Sequence, residues 1–239
     1  MKCLLTGVEG KPIAAHVIPR AFYEIDPHAD GPHRIISNAD GVFPRRAPIG
    51  VYDKTIVTEE GERQFSPWDN YAAKLLIEER DQLKPICVGS RIVGYSRDHY
   101  NYTLLKLFAL SVIWRAGVSS QSFFDRVRLG PHEARIREHL MSTDPGEPSC
   151  YSVVFSMWED REQGPGMMDP FRERYKHVNF YRIYLGNYIC YVKVDQRPTP
   201  GSLQYVQLAP KYPLVVIARN LASSKEFPIM KRMSDPDAR

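Results

Sequence analysis

Cysteine is scarce in this chain: Cys3, Cys87, Cys150 and Cys190 are its four, and no two of them form a Cys-x-x-Cys pair. That spacing argues against a zinc knuckle built from cysteines alone and against the disulfide framework of a small secreted domain. Four free, buried thiols are expected. Long apolar runs are missing as well. The most apolar stretch, Leu104–Val118, is interrupted by Lys106 and Arg115, and it is shorter than the roughly 20 residues of a membrane-spanning helix. The first residues, Met1-Lys2-Cys3-Leu4-Leu5-Thr6-Gly7, lack the apolar core of a secretory signal, so a cytoplasmic protein without a membrane partner is expected. There is no Walker loop, GxGxxG, GxSxG or HExxH, which removes the commonest nucleotide-binding, serine-hydrolase and zinc-protease signatures. A strong charge imbalance is absent too. The net charge is +4, with eleven Lys/Arg against thirteen Asp/Glu over residues 1–85, eight against six over 86–148, and thirteen against nine over 149–239. A dedicated nucleic-acid binder has a stronger basic footprint, so any positive channel must be assembled by folding.

What is present suits a packed protein of 239 residues: 43% hydrophobic and 25% charged residues, with 14 Tyr and 10 Phe. The pattern divides into three. Residues 1–57 are rich in turn formers; short strands are expected at Lys2–Leu5, His16–Ile18 and Arg34–Ser37, and Pro19 stops the second or opens a helix over Arg20–Tyr23. Gly31–Pro48 reads as a long loop or an added hairpin. Ser66-Pro67 reads as the cap and first residue of a helix ending before Pro85, with Asp69 in its first turn and Tyr71, Ala72, Leu75 and Leu76 on its apolar face. A second helix, apolar on nearly all sides, is expected from Asn101 to Ala116, with Asp98 as its cap, Gly117 as its stop and Arg115 snorkelling. A third runs from Pro131 to Met141, and Ser142–Ser149 reads as a linker. The period then changes to that of strands, at Tyr151–Met157, Phe180–Leu185, Tyr188–Asp195, Tyr205–Leu208 and Leu214–Ala218, with Gly186-Asn187 as a hairpin turn and 159–172 as a loop. Frayed residues are expected at Ser234–Arg239.

The candidate chemistry lies in the first third. His16 stands in Ala15-His16-Val17-Ile18-Pro19, and imidazole is the side chain best suited to take a proton near neutral pH. Alone, it is more readily a structural histidine. Asp53 and Glu62, nine residues apart, add two carboxylates that together with a histidine suit a hard cation such as Mg2+. Taken by composition, they read as a solvated acidic turn with Glu59 and Glu60.

Order and context connect the three. His16-Val17-Ile18-Pro19, then Asp53 ahead of the apolar Ile56-Val57, then Glu62 and the segment through Trp68-Asp69-Asn70-Tyr71-Ala72 together resemble the HNH (His-Me finger) endonucleases over about residues 1–80. The resemblance implies an N-terminal ββα-metal finger. The family's first Cys-x-x-Cys falls on Cys3-Leu4-Leu5-Thr6 and its second on Thr58-Glu59-Glu60-Gly61, so the zinc knuckle is degenerate and no structural zinc is expected. Ala15 stands where many members carry a metal-binding Asp. The resemblance implies His16 as the base that activates water, Asp53 in place of an Asn that orients it, and Glu62, alone or with Asp53, as metal ligand for one divalent ion, Mg2+ or Mn2+. Arg20, Arg45, Arg46 and Lys54 are candidate phosphate contacts.

The expected fold is therefore α+β: a finger over 1–85, a helical segment over 86–148 and an antiparallel β-rich portion over 149–239, the last two able to pack as one domain. The expected function is a metal-dependent nuclease on nucleic acid, DNA ahead of RNA. The alternative is an inactive HNH-like scaffold that binds a partner protein or nucleic acid. Other residues carry less. His28 and His33 read as polar loop residues, Arg126 and Arg128 as a solvated face, and the aromatic strands Tyr181–Tyr191 as cross-strand packing before base stacking.

Overall fold

A short antiparallel pair sits at the root of the first third. In a computed structural model that describes residues 1–23, 34–37, 44–47, 49–159 and 167–234, β1 (Ala15–His16) is followed by β2 (Arg34–Ile36), β3 (Arg45–Arg46) and β4 (Tyr52–Asp53). β1 pairs with β4, Ala15 opposite Asp53 and His16 opposite Tyr52, while β2 and β3 pair with each other in the connection between them. Gly31–Pro48, expected as a long loop or an added hairpin, thus contains a strand pair in its described part; His28 and His33 lie outside the described residues. Lys2–Leu5 does not form a strand and makes one bridge, Lys2 to Glu9. Arg20–Phe22 is a single 3-10 turn.

The helix α1 (Glu59–Ala73) begins well before Ser66. Thr58 is the extended residue ahead of it, and Glu59, Glu60 and Glu62 occupy its first turn, where carboxylates offset the positive helix end. Those charges outweigh the local Ser-Pro signal. Ser66 bonds back to the Glu62 carbonyl at 3.4 Å instead of capping, and Pro67 lies inside the helix on its exposed side. Glu62 and Asp69 consequently share one helix, two turns apart. Phe65, Trp68 and Ala72 form its buried stripe, and the chain continues through a wide π-helical turn at Lys74–Glu78.

The exposed hairpin β5 (Lys84–Val88) and β6 (Arg91–Arg97) follows. Next, α2 (Tyr102–Val118) is the central helix, buried on almost every side. Its cap is Asn101, whose side chain accepts from Leu104 N at 3.0 Å, rather than Asp98, which pairs with Lys84. α3 (His132–Ser142) packs beside it.

The remaining strands are β7 (Val153–Trp158), β8 (Met167–Met168), β9 (Phe171–Tyr175), β10 (Val178–Leu185), β11 (Tyr188–Lys193) and β12 (Leu214–Arg219). A seven-stranded sheet has the order β5-β6-β12-β7-β11-β10-β9, antiparallel except where β12 meets β7. Leu185 pairs with Tyr188 around Gly186-Asn187, the two-residue hairpin read from sequence. Tyr205–Leu208 is not a strand: it follows the short turn α4 (Gly201–Gln204), with Tyr205 exposed and Leu208 buried. The expected loop 159–172 already contains β8, which pairs in parallel with β2, and the start of β9. α5 (Glu226–Ser234) closes the described chain.

The fold is α+β, and one hydrophobic cluster runs from Cys3 to Leu221 through all three segments. No helix among the described residues is long and apolar enough to cross a membrane. The four thiols are free, but only Cys3 and Cys190 are buried; Cys87 is exposed and Cys150 half-buried.

Candidate functional site

The β1–β4 pair decides where each side chain points. Directly opposed residues share a face, and neighbours along a strand alternate. Ala15 and Asp53 therefore face the interior, and both are buried. His16 and Tyr52 face the other way, with ring centroids 6.2 Å apart. The pairing that brings Asp53 beside β1 thus turns its carboxylate away from His16.

The His16 ring is held by a backbone atom instead. Its Nε2 lies 2.8 Å from the Ile49 carbonyl oxygen. A carbonyl only accepts, so Nε2 carries the proton and Nδ1 keeps the lone pair of the neutral ring. The Ile49 carbonyl is itself fixed by its neighbours. Gly50 has φ +79°, and a Cβ there would fall 2.5 Å from the Tyr23 ring, so the chain turns where only glycine fits. Tyr23 Oη then accepts from Val51 N, and Val17 N donates to Val51 O.

Asp53 is occupied elsewhere. Its Oδ1 accepts from Thr55 N and Thr55 Oγ1, and its Oδ2 from Ser120 N, Ser120 Oγ and Ser119 Oγ. Burial pushes this carboxyl up, but the bonds from Thr55, Ser120 and Ser119 more than reverse it, down to about 2. Asp53 is a tie between β4 and the end of α2, and the Ile49 carbonyl does the orienting expected of it.

A second acidic pair lies on α1. The side chain of Arg115, 0% exposed, reaches from α2 to hydrogen-bond both oxygens of Asp69, at 2.7 and 3.0 Å, and also the carbonyl of His16 at 2.8 Å. It does not snorkel; its charge is neutralised in place. Burial raises the Asp69 carboxyl, opposed by Arg115 and by the nearby His16. Glu62 belongs to the same cluster: burial raises its carboxyl, Arg115 pulls it back, and Asp69 adds to the rise. Its Oε2 is buried and has no hydrogen-bond partner among the described residues. Asp69 and Arg115 were weighed in the sequence only as a helix-end acid and a snorkelling base. Their partnership spans 46 residues, and no local pattern announces it.

Arg45, Arg46 and Lys54 line one open cleft of about 670 Å³ with Ile49, Tyr52 and Gln121. It adjoins His16 through Ile49, which bonds the ring, and Tyr52, whose ring lies tilted beside it. Three of the four expected phosphate contacts are thus brought together, although residues 1–85 are net acidic. Arg20, on its 3-10 turn, is not among the residues lining this cleft.

The four positions read as a degenerate knuckle also converge. Cys3 Sγ accepts from Thr6 N at 3.5 Å and from the backbone of Thr58, and a Cβ on Gly61 would fall 2.6 Å from it. One sulfur fills the space between the Thr6 turn and the start of α1. For a divalent ion near His16, Asp53, with both oxygens engaged, does not fit; Glu62 is the remaining candidate, its buried Oε2 being without a hydrogen-bond partner among the described residues. Among the described residues no group of three or more His, Cys, Asp and Glu is arranged to hold a metal. No family model, no curated protein and no solved structure matches this chain.

Proposed function

We propose that the protein is an HNH-type endonuclease that hydrolyses phosphodiester bonds in nucleic acid at the His16 face. The observation that carries this reading is the local order around His16. A histidine on the first strand of an antiparallel pair has a lone pair on Nδ1 and a basic cleft beside it, and the helix that follows directly bears Glu62 and Asp69. The convergence of residues 3, 6, 58 and 61 supports the same register, because it packs the start of α1 against the turn that precedes β1.

In this reading His16 Nδ1 takes a proton from water as it attacks phosphorus, and Nε2–H, on the Ile49 carbonyl, keeps the ring in the right tautomer. Arg45, Arg46 and Lys54 hold the phosphates that flank the cut. Glu62 would hold a divalent ion, Mg2+ or Mn2+, which would supply charge stabilisation on the phosphate. Arg115 and Asp69 set the height of β1 over α1. DNA is the first substrate to try, RNA the second.

The second reading is an inactive scaffold with the same fold. Two observations favour it: Ala15 offers no ligand beside His16, and Arg115 already takes both oxygens of Asp69. Cleavage separates the two. The full chain is incubated with plasmid, single-stranded DNA and RNA in Mg2+ or Mn2+. The endonuclease nicks at least one of them, and His16→Ala lowers the rate by about 10²–10⁴-fold. No cleavage of any substrate with either ion overturns the endonuclease and leaves the scaffold.

A further inference from the structure

The loop between α3 and β7 builds a thiol–imidazole pair far along the chain from His16. His139, in the last turn of α3, places its Nδ1 2.9 Å from the Asp144 carbonyl oxygen. That oxygen only accepts, so Nδ1 carries the proton and Nε2 the lone pair. Nε2 faces Cys150 Sγ at 3.7 Å, within reach of the S–H donor. A backbone carbonyl, an imidazole and a thiol therefore stand in line, with the ring in the tautomer that accepts a proton from sulfur.

The surroundings hold this line in place. A Cβ on Gly146 would fall 2.8 Å from His139 Cε1, so the loop backbone lies directly on the ring. Buried Tyr102 and Lys106 anchor the loop from below: Tyr102 Oη donates to Gly146 O, and Lys106 Nζ donates to Glu147 O at 2.7 Å. Thr143 and Tyr151, which bracket the loop, both have positive φ, 55° and 48°. Neither is glycine, so the backbone is held in a costly conformation at both ends. The ring of Tyr151 meets the His139 ring edge-on. Lys106 and Lys193, 0% and 3% exposed, lie within electrostatic reach of the Cys150 sulfur.

We infer that Cys150 is the selectively reactive thiol of this protein, with His139 as its base, and that it is a modification site for small peroxides. The half-buried sulfur admits a small neutral electrophile more readily than a bulky one. Cys150 gives its proton to His139 Nε2. The sulfur attacks one peroxide oxygen; an S–O bond forms and the O–O bond breaks. Sulfur is oxidised to the sulfenic acid, and the departing hydroxide takes the proton from the imidazolium and leaves as water.

Cys87 supplies the control within the same chain, being exposed on β5. The full-length protein is treated with limiting iodoacetamide at pH 7, and each cysteine is quantified by peptide mass spectrometry. A parallel sample takes hydrogen peroxide followed by dimedone. Cys150 is expected to alkylate about tenfold faster than Cys87 and to carry the dimedone adduct, as a base-assisted thiol does. His139→Gln is expected to remove that advantage while the Cys87 rate stays the same. A Cys87 rate equal to or above that of Cys150 in the unmutated protein overturns the inference without any variant having to fold. An unchanged ratio in a folded His139→Gln protein, checked by circular dichroism, overturns the role of the imidazole.

Discussion

Arg115 and Asp69 form a two-point ion pair, 2.7 and 3.0 Å, between the central helix and α1, and the same guanidinium holds the carbonyl of His16. Removing either partner leaves a charge in the interior without its counterion. Arg115→Met or Asp69→Leu is expected to cost about 3–5 kcal/mol, read as a shift of the urea midpoint at constant slope. The double variant, apolar at both positions, is expected to recover much of that loss. A double variant as unstable as the sum of the singles would show that the pair contributes more than mutual neutralisation.

Asp53 makes stability depend on acid. Its folded carboxyl titrates near 2, below its ordinary value of 3.8, so the native state gains from the ionised form above about pH 4 and loses that gain as pH falls toward 2. Asp53→Asn is expected to cost about 2 kcal/mol at pH 7, the scale of hydrogen bonds to a charged acceptor. Its unfolding curve should approach that of the parent protein as pH falls through that window. A gap of the same size at pH 2 and pH 7 would contradict this.

Glu62 carries the opposite sign. Burial raises its folded carboxyl above the ordinary 4.5, so its protonated form favours folding and that contribution is lost as pH rises past 4.5. Glu62→Gln cannot ionise. Thermal unfolding should find the variant level with the parent below pH 4.5 and more stable at pH 7. In the nuclease assay the same variant should be at least about 100-fold slower, on the scale of losing a charge-stabilising group. A variant that is both less stable and fully active would remove Glu62 from the site.

The convergence of residues 3, 6, 58 and 61 predicts that a four-cysteine zinc knuckle can be built there. Thr6→Cys, Thr58→Cys and Gly61→Cys, made together with Cys3 retained, complete a four-sulfur set. Cys3 Sγ must swing away from the new side chain at position 61, 2.6 Å from it at present. The triple variant is expected to bind one equivalent of zinc and to unfold at a higher temperature with zinc than with chelator. Absence of stoichiometric zinc would count against this register of residues 1–80 with the finger family.

What the sequence discloses follows from how local its signals are. The central helix and the β10–β11 hairpin are legible because buried periodicity and a Gly-Asn turn lie within a few residues of each other. The start of α1 is hard to read because Ser66-Pro67 is a local cap signal, whereas Glu59, Glu60 and Glu62 act on the helix end together. β5 and β6 form an exposed edge hairpin that buries little, so alternation is faint; the Gly89-Ser90 turn, with Gly89 at φ +61°, was its one clear marker. Of the residues singled out in the sequence, Arg45, Arg46 and Lys54 line one cleft beside the strand pair that bears His16, while Asp53 is taken up by its own hydrogen bonds. What orients His16 is a backbone carbonyl, which has no letter of its own. Asp69 and Arg115 meet only because two helices cross.

The packing of Cys3 against Gly61 has a wider consequence. The start of α1 is wedged against Cys3 and tied through Asp69 to Arg115 of the central helix. A fragment ending near residue 85 would keep the first contact and leave Arg115 behind. The first third is therefore not a portable module: to cut it out is to expose the Asp69 carboxylate without its counterion.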